Sequence, residues 1–232
     1  MIKERILLGI SGLDEMMGGG LIKNSICAII GTYGTGKTTF AIQFLFQGLE
    51  NGEKGIYISL EESEESIYEK ISDRGWDVDT YRDKSLFVIK LDPTDFNLSI
   101  NSIKNELPDL ISSVGASRVV IDPISLFEGL FDDNSTRRRE MFRFTEMMAN
   151  LDCTTVLTSE TEHNDDYSSR YGLVEYLSDV VVVLKYIRPS DLAEVHTAVE
   201  VVKMRRSNHS REIKPYEIQE DRVNVYSEAS VF

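Results

Sequence analysis

A chain of 232 residues, 41% hydrophobic and 28% charged, can bury a substantial core and suits one domain over 1–232 better than two small ones. Its net charge of −14 repels nucleic acid unless a basic face is segregated, and no apolar stretch reaches the ~18 residues of a spanning helix, so DNA binding and membrane insertion are disfavoured. Cys27 and Cys153 fall in apolar predicted strands, with no secretory leader and no metal-ligand companion nearby; they read as buried free thiols of a cytoplasmic protein.

In chain order, "SICAIIG" (25–31) predicts a strand, and 37–49 a helix with Phe40, Phe44 and Leu45 inward. "GIYISLEE" (55–62) is a second strand, after which Ser63 caps a helix carrying Glu64 and Glu65 in its first turn, the sign the helix dipole prefers. Further strands are expected at 85–91, 117–123 and 153–160, with helices over 98–113 and 136–151 between them. Nearly continuous apolar strands alternating with helices predict a mostly parallel α/β sheet covered on both faces. "HNDDYSSR" (163–170) reads as a mobile loop. The segments 180–187 and 195–205 then flank a turn at Pro189, Ser190 and Asp191, which predicts an antiparallel edge hairpin, with 215–219 and 223–226 as short added strands.

The first strand runs into Gly31-Thr32-Tyr33-Gly34-Thr35-Gly36-Lys37-Thr38-Thr39, the spacing G-x-x-x-x-G-K-[ST]. In such a loop backbone N–H groups turn inward and cradle a polyphosphate. Lys37 would neutralise the outer phosphates and the Thr38 hydroxyl would ligate Mg²⁺. Ligands of parallel sheets sit at the carboxyl ends of strands, and three of those ends carry acid. Asp122 closes "RVVID" in the layout that holds Mg²⁺ through its water shell. Glu61 or Glu62, closing "IYISLEE", could orient or deprotonate an attacking water. Glu160 closes "TTVLTSE", with Ser159 beside it as a γ-phosphate sensor, although exposed strand ends are often acidic in any case.

Two basic stretches compete for a role. The run Arg137-Arg138-Arg139 reads as a solvated helix face. Lys203 and Arg205 alternate onto one face at the end of a long edge strand, with Met204 on the other. They suit either an anion presented by a neighbouring surface or protection of the edge against stray pairing. His163 and His196 look incidental.

Taken in order, "LGISGLDEMMGGGL", the phosphate loop, "GIYISLEESEESI", "VVIDPISLF", "TTVLTSE", "SRYGLVEYLSDVVVVLKYI" and "VVKMRRSNHS" resemble the blocks of the KaiC-like branch of the RecA-type ATPases over nearly the whole chain. The resemblance implies a RecA-like P-loop core that assembles into rings, typically hexamers, with ATP between subunits. It implies Lys37 and Thr38 as phosphate and Mg²⁺ ligands, Glu61 and Glu62 as a catalytic pair, and Asp122 as the second acid. Lys203, Arg205 and His209 would reach the γ-phosphate of the adjacent subunit. Departures are Tyr33 in place of a proline or small residue, Arg206 in place of a glycine, and Glu175-Tyr176 where autophosphorylating members carry Ser-Thr. Members with two such domains in tandem exist; this chain has one.

The reading that follows is a single-domain, ring-forming, Mg²⁺-dependent ATPase acting in regulation or signalling, with an unidentified protein partner and no autokinase activity. A nucleotide-binding scaffold with negligible hydrolysis is the alternative, against which the Glu pair argues. A DNA recombinase is a third, disfavoured by charge and by the lack of an evident basic or aromatic DNA loop.

Overall fold

Strands without a polar face need cover on both sides, and β3 (Ile26–Gly31), β4 (Gly55–Ser59), β6 (Arg118–Asp122) and β7 (Thr154–Ser159) are buried at every position. In the computed structural model, which describes residues 3–91, 102–162, 165–188 and 194–229, they form the centre of a nine-stranded sheet. With β5 (Leu86–Lys90), β10 (Val180–Ile187), β11 (His196–Met204), β12 (Lys214–Ile218) and β13 (Val223–Val225), the order is β13-β12-β11-β10-β3-β7-β6-β4-β5. Neighbours are parallel from β10 to β5, whereas β10 to β13 pair antiparallel. The expected edge hairpin is therefore present. Its connecting turn at Pro189–Asp191 lies outside the described residues.

One core packs α2 (Lys37–Glu50), through Phe40, Phe44 and Leu45, on Tyr57, Val120 and Val156 of the sheet. The opposite face carries α6 (Ile124–Glu128) and α7 (Asn134–Ala149), with Phe127, Met141 and Phe144 against Ile30, Ile58 and Ile121. Helices α3 (Glu64–Ser72), α4 (Val78–Tyr81) and α5 (Leu107–Val114) complete the layers, and Ser63 caps α3 as its sequence predicts.

The glycine-rich opening block is a clamp. Strands β1 (Arg5–Ile6) and β2 (Leu21–Ile22) pair around α1 (Leu13–Met16). The Asp14 carboxylate accepts the Leu8 and Gly9 N–H groups at 2.8 and 3.0 Å, while its carbonyl accepts those of Gly19 and Gly20. Gly20 takes φ +94, and a Cβ there would strike the Ile6 carbonyl, so the turn needs glycine. Arg5 donates to the Met17 and Gly20 carbonyls and to the Ser207 hydroxyl, fastening this block to the chain that follows β11.

Several expectations change. Residues 98–101 of the helix expected over 98–113 lie outside the described residues. The rest forms a π-helical turn, Ser102–Glu106, before α5, because Pro108 has no N–H to continue the ladder. The expected loop at 163–170 contains a strand, β9 (Asp165–Ser169), paired antiparallel with β8 (Thr161–Glu162). Its polar side chains find tertiary partners: Tyr167 bonds Glu200 at 2.9 Å, and Ser169 is buried. His163 is not described. Cys153 lies just before β7, and both thiols are free and buried. Helix α7 begins at Asn134, earlier than 136, because the Asp133 carboxylate accepts the Thr136 N–H at 2.9 Å. Arg137 is not part of a solvated face. It is buried, donates to the Glu128 carbonyl at 2.9 Å and lies 4.1 Å from the Tyr171 ring centroid.

Candidate nucleotide site

At the end of β3 the chain turns through Gly34, at φ +75, and Gly36, at φ +87, before entering α2. Residue types other than glycine resist this region of φ, and space is short as well. A Cβ on Gly36 would run into Ile218, and one on Gly34 would come within 2.7 Å of the Tyr186 hydroxyl. The loop is thus moulded against β10 and β12. The Tyr216 hydroxyl donates to the Thr35 carbonyl at 2.6 Å, and Thr35 Oγ1 closes the turn onto the Thr32 carbonyl at 2.8 Å. Tyr33, at the tip, is 87% exposed.

Lys37 folds back over the loop, donating to the Gly31 and Thr32 carbonyls at 2.8 and 3.0 Å. Burial pulls its ammonium below the ordinary lysine value, against the upward pull of Asp122, Glu160 and Glu61. The charge of Lys37 is therefore costly where it stands, and a polyphosphate in the loop would compensate it better than two neutral carbonyls do.

Asp122 at the end of β6 is the hub. Its Oδ2 accepts Thr38 Oγ1 at 2.9 Å and also the Tyr57 hydroxyl; its Oδ1 accepts Thr158 Oγ1. Tyr57 rises from β4 two residues before the strand end, and Thr158 from β7. Burial, with the Asp122 charge beside it, pushes the Tyr57 hydroxyl well above its ordinary value, so it stays a donor. Sequence reasoning had no handle on Tyr57 or Thr158, because their convergence depends on the order of strands. Period-2 alternation turns Thr158 towards Asp122, while the Ser159 hydroxyl, fully buried, bonds the Glu160 carbonyl at 3.1 Å.

The two glutamates after β4 differ. Glu62 is engaged, accepting Ser66 Oγ at 2.7 Å and pairing with Lys70. Burial raises its carboxyl, but the bonds from Lys70 and Ser66 outweigh burial and hold it below the usual range. Glu61 is exposed, and its carboxylate reaches no partner among the described residues. Glu160 forms an ion pair with Arg170 at 2.6 Å.

Beside Thr38 and Thr39 opens a cleft of about 480 Å³ lined by Ile42, Lys70, Arg74, Ile218 and Gln219. Arg74 Nη1 bonds the Gln219 carbonyl at 3.1 Å across it. None of these five residues stands out in the sequence, since 70–74 and 218–219 meet only in the fold.

Lys203 and Arg205 stand elsewhere. Strand register pairs Lys203 with Val181, and Val181 with Ala28, three residues before Gly31 and on the side of β3 away from the loop. Both side chains share one face, as their alternation predicts. Lys203 donates to the Glu175 and Tyr176 carbonyls at 2.7 and 3.2 Å, and Arg205 to that of Tyr176 at 2.7 Å. Arg206 takes φ +63, a conformation that suits glycine better. His209 is half-buried, and its Nε2 has no hydrogen-bond partner among the described residues.

A phosphate-type loop leading into a helix, with a carboxylate at a nearby strand end and an antiparallel extension past β10, defines a P-loop α/β protein with a RecA-type core. Residues 6–230 match the family described as ATPase: KaiC, and the chain belongs to that family. It is 32% identical over 228 residues to the circadian clock oscillator protein KaiC of Parathermosynechococcus lividus, a match covering 94% of this chain and 41% of that protein. The chain thus spans less than half the length of the KaiC relatives it matches. It is also 32% identical to UPF0273 protein MK0039 of Methanopyrus kandleri, over 97% of this chain and 93% of the relative. The structure of the KaiC-like protein PH0186 from Pyrococcus horikoshii OT3 superposes with a TM-score of 0.84 at 28% identity, covering 97% of this chain and 100% of that one. Nucleotide binding follows at the level of the family. No helix among the described residues is long and apolar enough to cross a membrane.

Proposed function

We propose that the protein is a single-domain, Mg²⁺-dependent ATPase that works as a homo-oligomeric ring, most simply a hexamer, with ATP held between subunits. The observation that carries the ATP reading is the bond from Thr38 to Asp122, with Lys37 folded over the loop beside them. Hydroxyl and carboxylate oxygens are the hard donors that Mg²⁺ takes, so the set fits the ion. Thr38 would bind it directly and Asp122 through water, and the ion would offset charge on the phosphates.

The chain's own groups supply the rest. N–H groups of Thr32 to Thr39 orient the phosphates, and Lys37 leaves its two carbonyls to bind the outer ones. Glu61 is better placed than Glu62 to accept the proton of an attacking water, because Glu62 is already paired with Lys70. Glu160 and Ser159 border the site as a possible sensor pair only if Glu160 leaves Arg170. The cleft lined by Ile42, Lys70, Arg74 and Ile218 would take the base and ribose.

The register of β11 supports the ring. Lys203 and Arg205 lie at the end of the sheet opposite their own phosphate loop, so if they touch a γ-phosphate it is a neighbour's. His209, in the same segment, would join them. Regulation or signalling in the cytoplasm, through a protein partner, remains our reading of what turnover serves; Glu175 has no hydroxyl to phosphorylate, which argues against an autokinase. Steady-state ATPase measured alongside light scattering, with and without ATP and Mg²⁺, tests the proposal. Turnover and nucleotide-dependent assembly are expected. A monomer that binds but never hydrolyses ATP would favour the scaffold reading.

A further inference from the structure

Helix α6 leaves β6 directly after Asp122 and Pro123, and its last residue is a carboxylic acid with no solvent exposure, Glu128. Neither carboxyl oxygen of Glu128 has a hydrogen-bond partner among the described residues. An unpaired charge in such a place is far too costly, so the group is held there as the neutral acid.

Two charged groups act on it from the elements packed against α6. The first is the Glu175 carboxylate of α8 (Val174–Leu177), a like charge. The second is the Arg137 guanidinium of α7, which spends its N–H groups on the Glu128 and Phe131 carbonyls and on Asn134, not on the Glu128 carboxyl. The Tyr171 hydroxyl lies against the residue after the helix, 3.1 Å from where a Cβ on Gly129 would stand. Glu175 in turn accepts the Ser168 hydroxyl at 3.3 Å and that of Ser169, which docks α8 onto β9. The backbone carbonyls of this docked residue and the next accept from Lys203 and Arg205, and the Arg205 guanidinium also lies 3.8 Å from the Asp179 carboxylate. The acid pair therefore stands between the helix that leaves Asp122 and the two cations at the far end of the sheet.

We propose that Glu128 and Glu175 are a proton-gated pair of positioning residues: with the proton on Glu128 the 170–178 segment stays docked and holds Lys203 and Arg205 on its carbonyls, and loss of that proton to solvent drives Glu175 away and strips both cations of those carbonyls. Burial, then the charge of Glu175, against the opposing pull of Arg137, pushes Glu128 up to about 8, which puts the gate on the alkaline side of neutrality. The docked state binds the proton more tightly than the undocked one. Docking is therefore complete at low pH and lost as pH rises through about 8. The consequence for turnover rests on the reading of Lys203 and Arg205 as cations that act on a neighbour; the docking equilibrium does not.

Hydrogen exchange of the full chain without nucleotide, from pH 6.5 to 9 and corrected for intrinsic rates, reads the segment directly. Amides of 170–178 should lose protection by ~10-fold per pH unit up to about 8, while only the undocked segment releases the Glu128 proton, and level off above it, where the docked acid ionises too. Glu128→Gln, neutral at every pH, should keep the segment protected throughout, and Glu175→Gln should move the transition to lower pH relative to the parent by removing the like charge. A flat parent profile, or a Glu128→Gln profile that follows the parent, overturns the proposal. If Glu128→Gln does not fold, an unmoved transition in Glu175→Gln overturns it equally. ATP turnover measured over the same pH range separates the two readings. No turnover at any pH sinks the ATPase assignment, while the exchange profiles still decide the gate.

Discussion

The two ends of the parallel sheet hold their cations in contrasting ways. At the carboxyl ends of the strands, Lys37 is half-sunk in a glycine loop and faces Asp122, Glu61 and Glu160, so its charge is used within the subunit. At the amino ends, Lys203 and Arg205 are propped on the carbonyls of Glu175 and Tyr176, with no phosphate loop of their own in reach. Burial lowers the ammonium at both places, and at Lys203 the adjacent Arg205 lowers it further. Three acids act on Lys37, whereas Lys203 stands beside a second cation, with Asp179 and Glu175 acting against it and Asp179 lying 3.8 Å from Arg205. On the ring reading proposed above, the first end holds a nucleotide and the second offers its cations to a neighbour.

The comparison breaks most severely with Lys37→Ala, which should abolish ATP binding in a fluorescent-analogue titration, since a charge beside two phosphates at reduced dielectric is a large term. Unchanged affinity would reduce the loop to a structural turn. Arg205→Ala should leave affinity nearly intact and cut turnover by up to ~10³-fold, the range of an arginine finger. Mixing Arg205→Ala with Lys37→Ala subunits sharpens the contrast, because an intact loop can then meet an intact Arg205 across an interface. Activity above that of either variant alone is expected. A mixture as inactive as its parts, with subunit exchange confirmed, would leave Lys203 and Arg205 as edge protection.

Smaller effects distinguish residues within the loop end. Glu61→Gln should lower turnover by ~10²-fold with ATP still bound, because an amide cannot take the water's proton. Glu62→Gln should cost less turnover and instead loosen the pairing with Lys70 that borders the cleft. If Glu62→Gln proves the more damaging, the roles are reversed. Tyr57→Phe removes one donor from buried Asp122, a bond to a charged group costing about 2 kcal/mol, so thermal melting should fall by roughly 4–8 °C. An unchanged melting temperature would mean that solvent replaces the hydroxyl.

Much of this was readable in the chain itself, for local reasons. The phosphate loop is contiguous, so Gly34, Gly36, Lys37 and Thr38 announce it by spacing alone. Runs of apolar and β-branched residues without an alternating charged face betray β3, β4, β6 and β7, as expected of strands covered on both sides. Asp122 is legible, like Glu61, Glu62 and Glu160, as an acid that closes such a run, and the shared face of Lys203 and Arg205 follows from a period of two. What only the fold decided lies between segments distant in sequence. Strand order brings Tyr57 and Thr158 onto Asp122, and β12 against the loop. Packing buries Arg137 within a basic run that reads as solvated, and turns a polar stretch at 165–169 into a strand. The Glu128–Glu175 pair is the clearest case: each acid is ordinary in its own segment, and only the burial of Glu128, with the charge of half-buried Glu175 acting on it, makes Glu128 keep its proton.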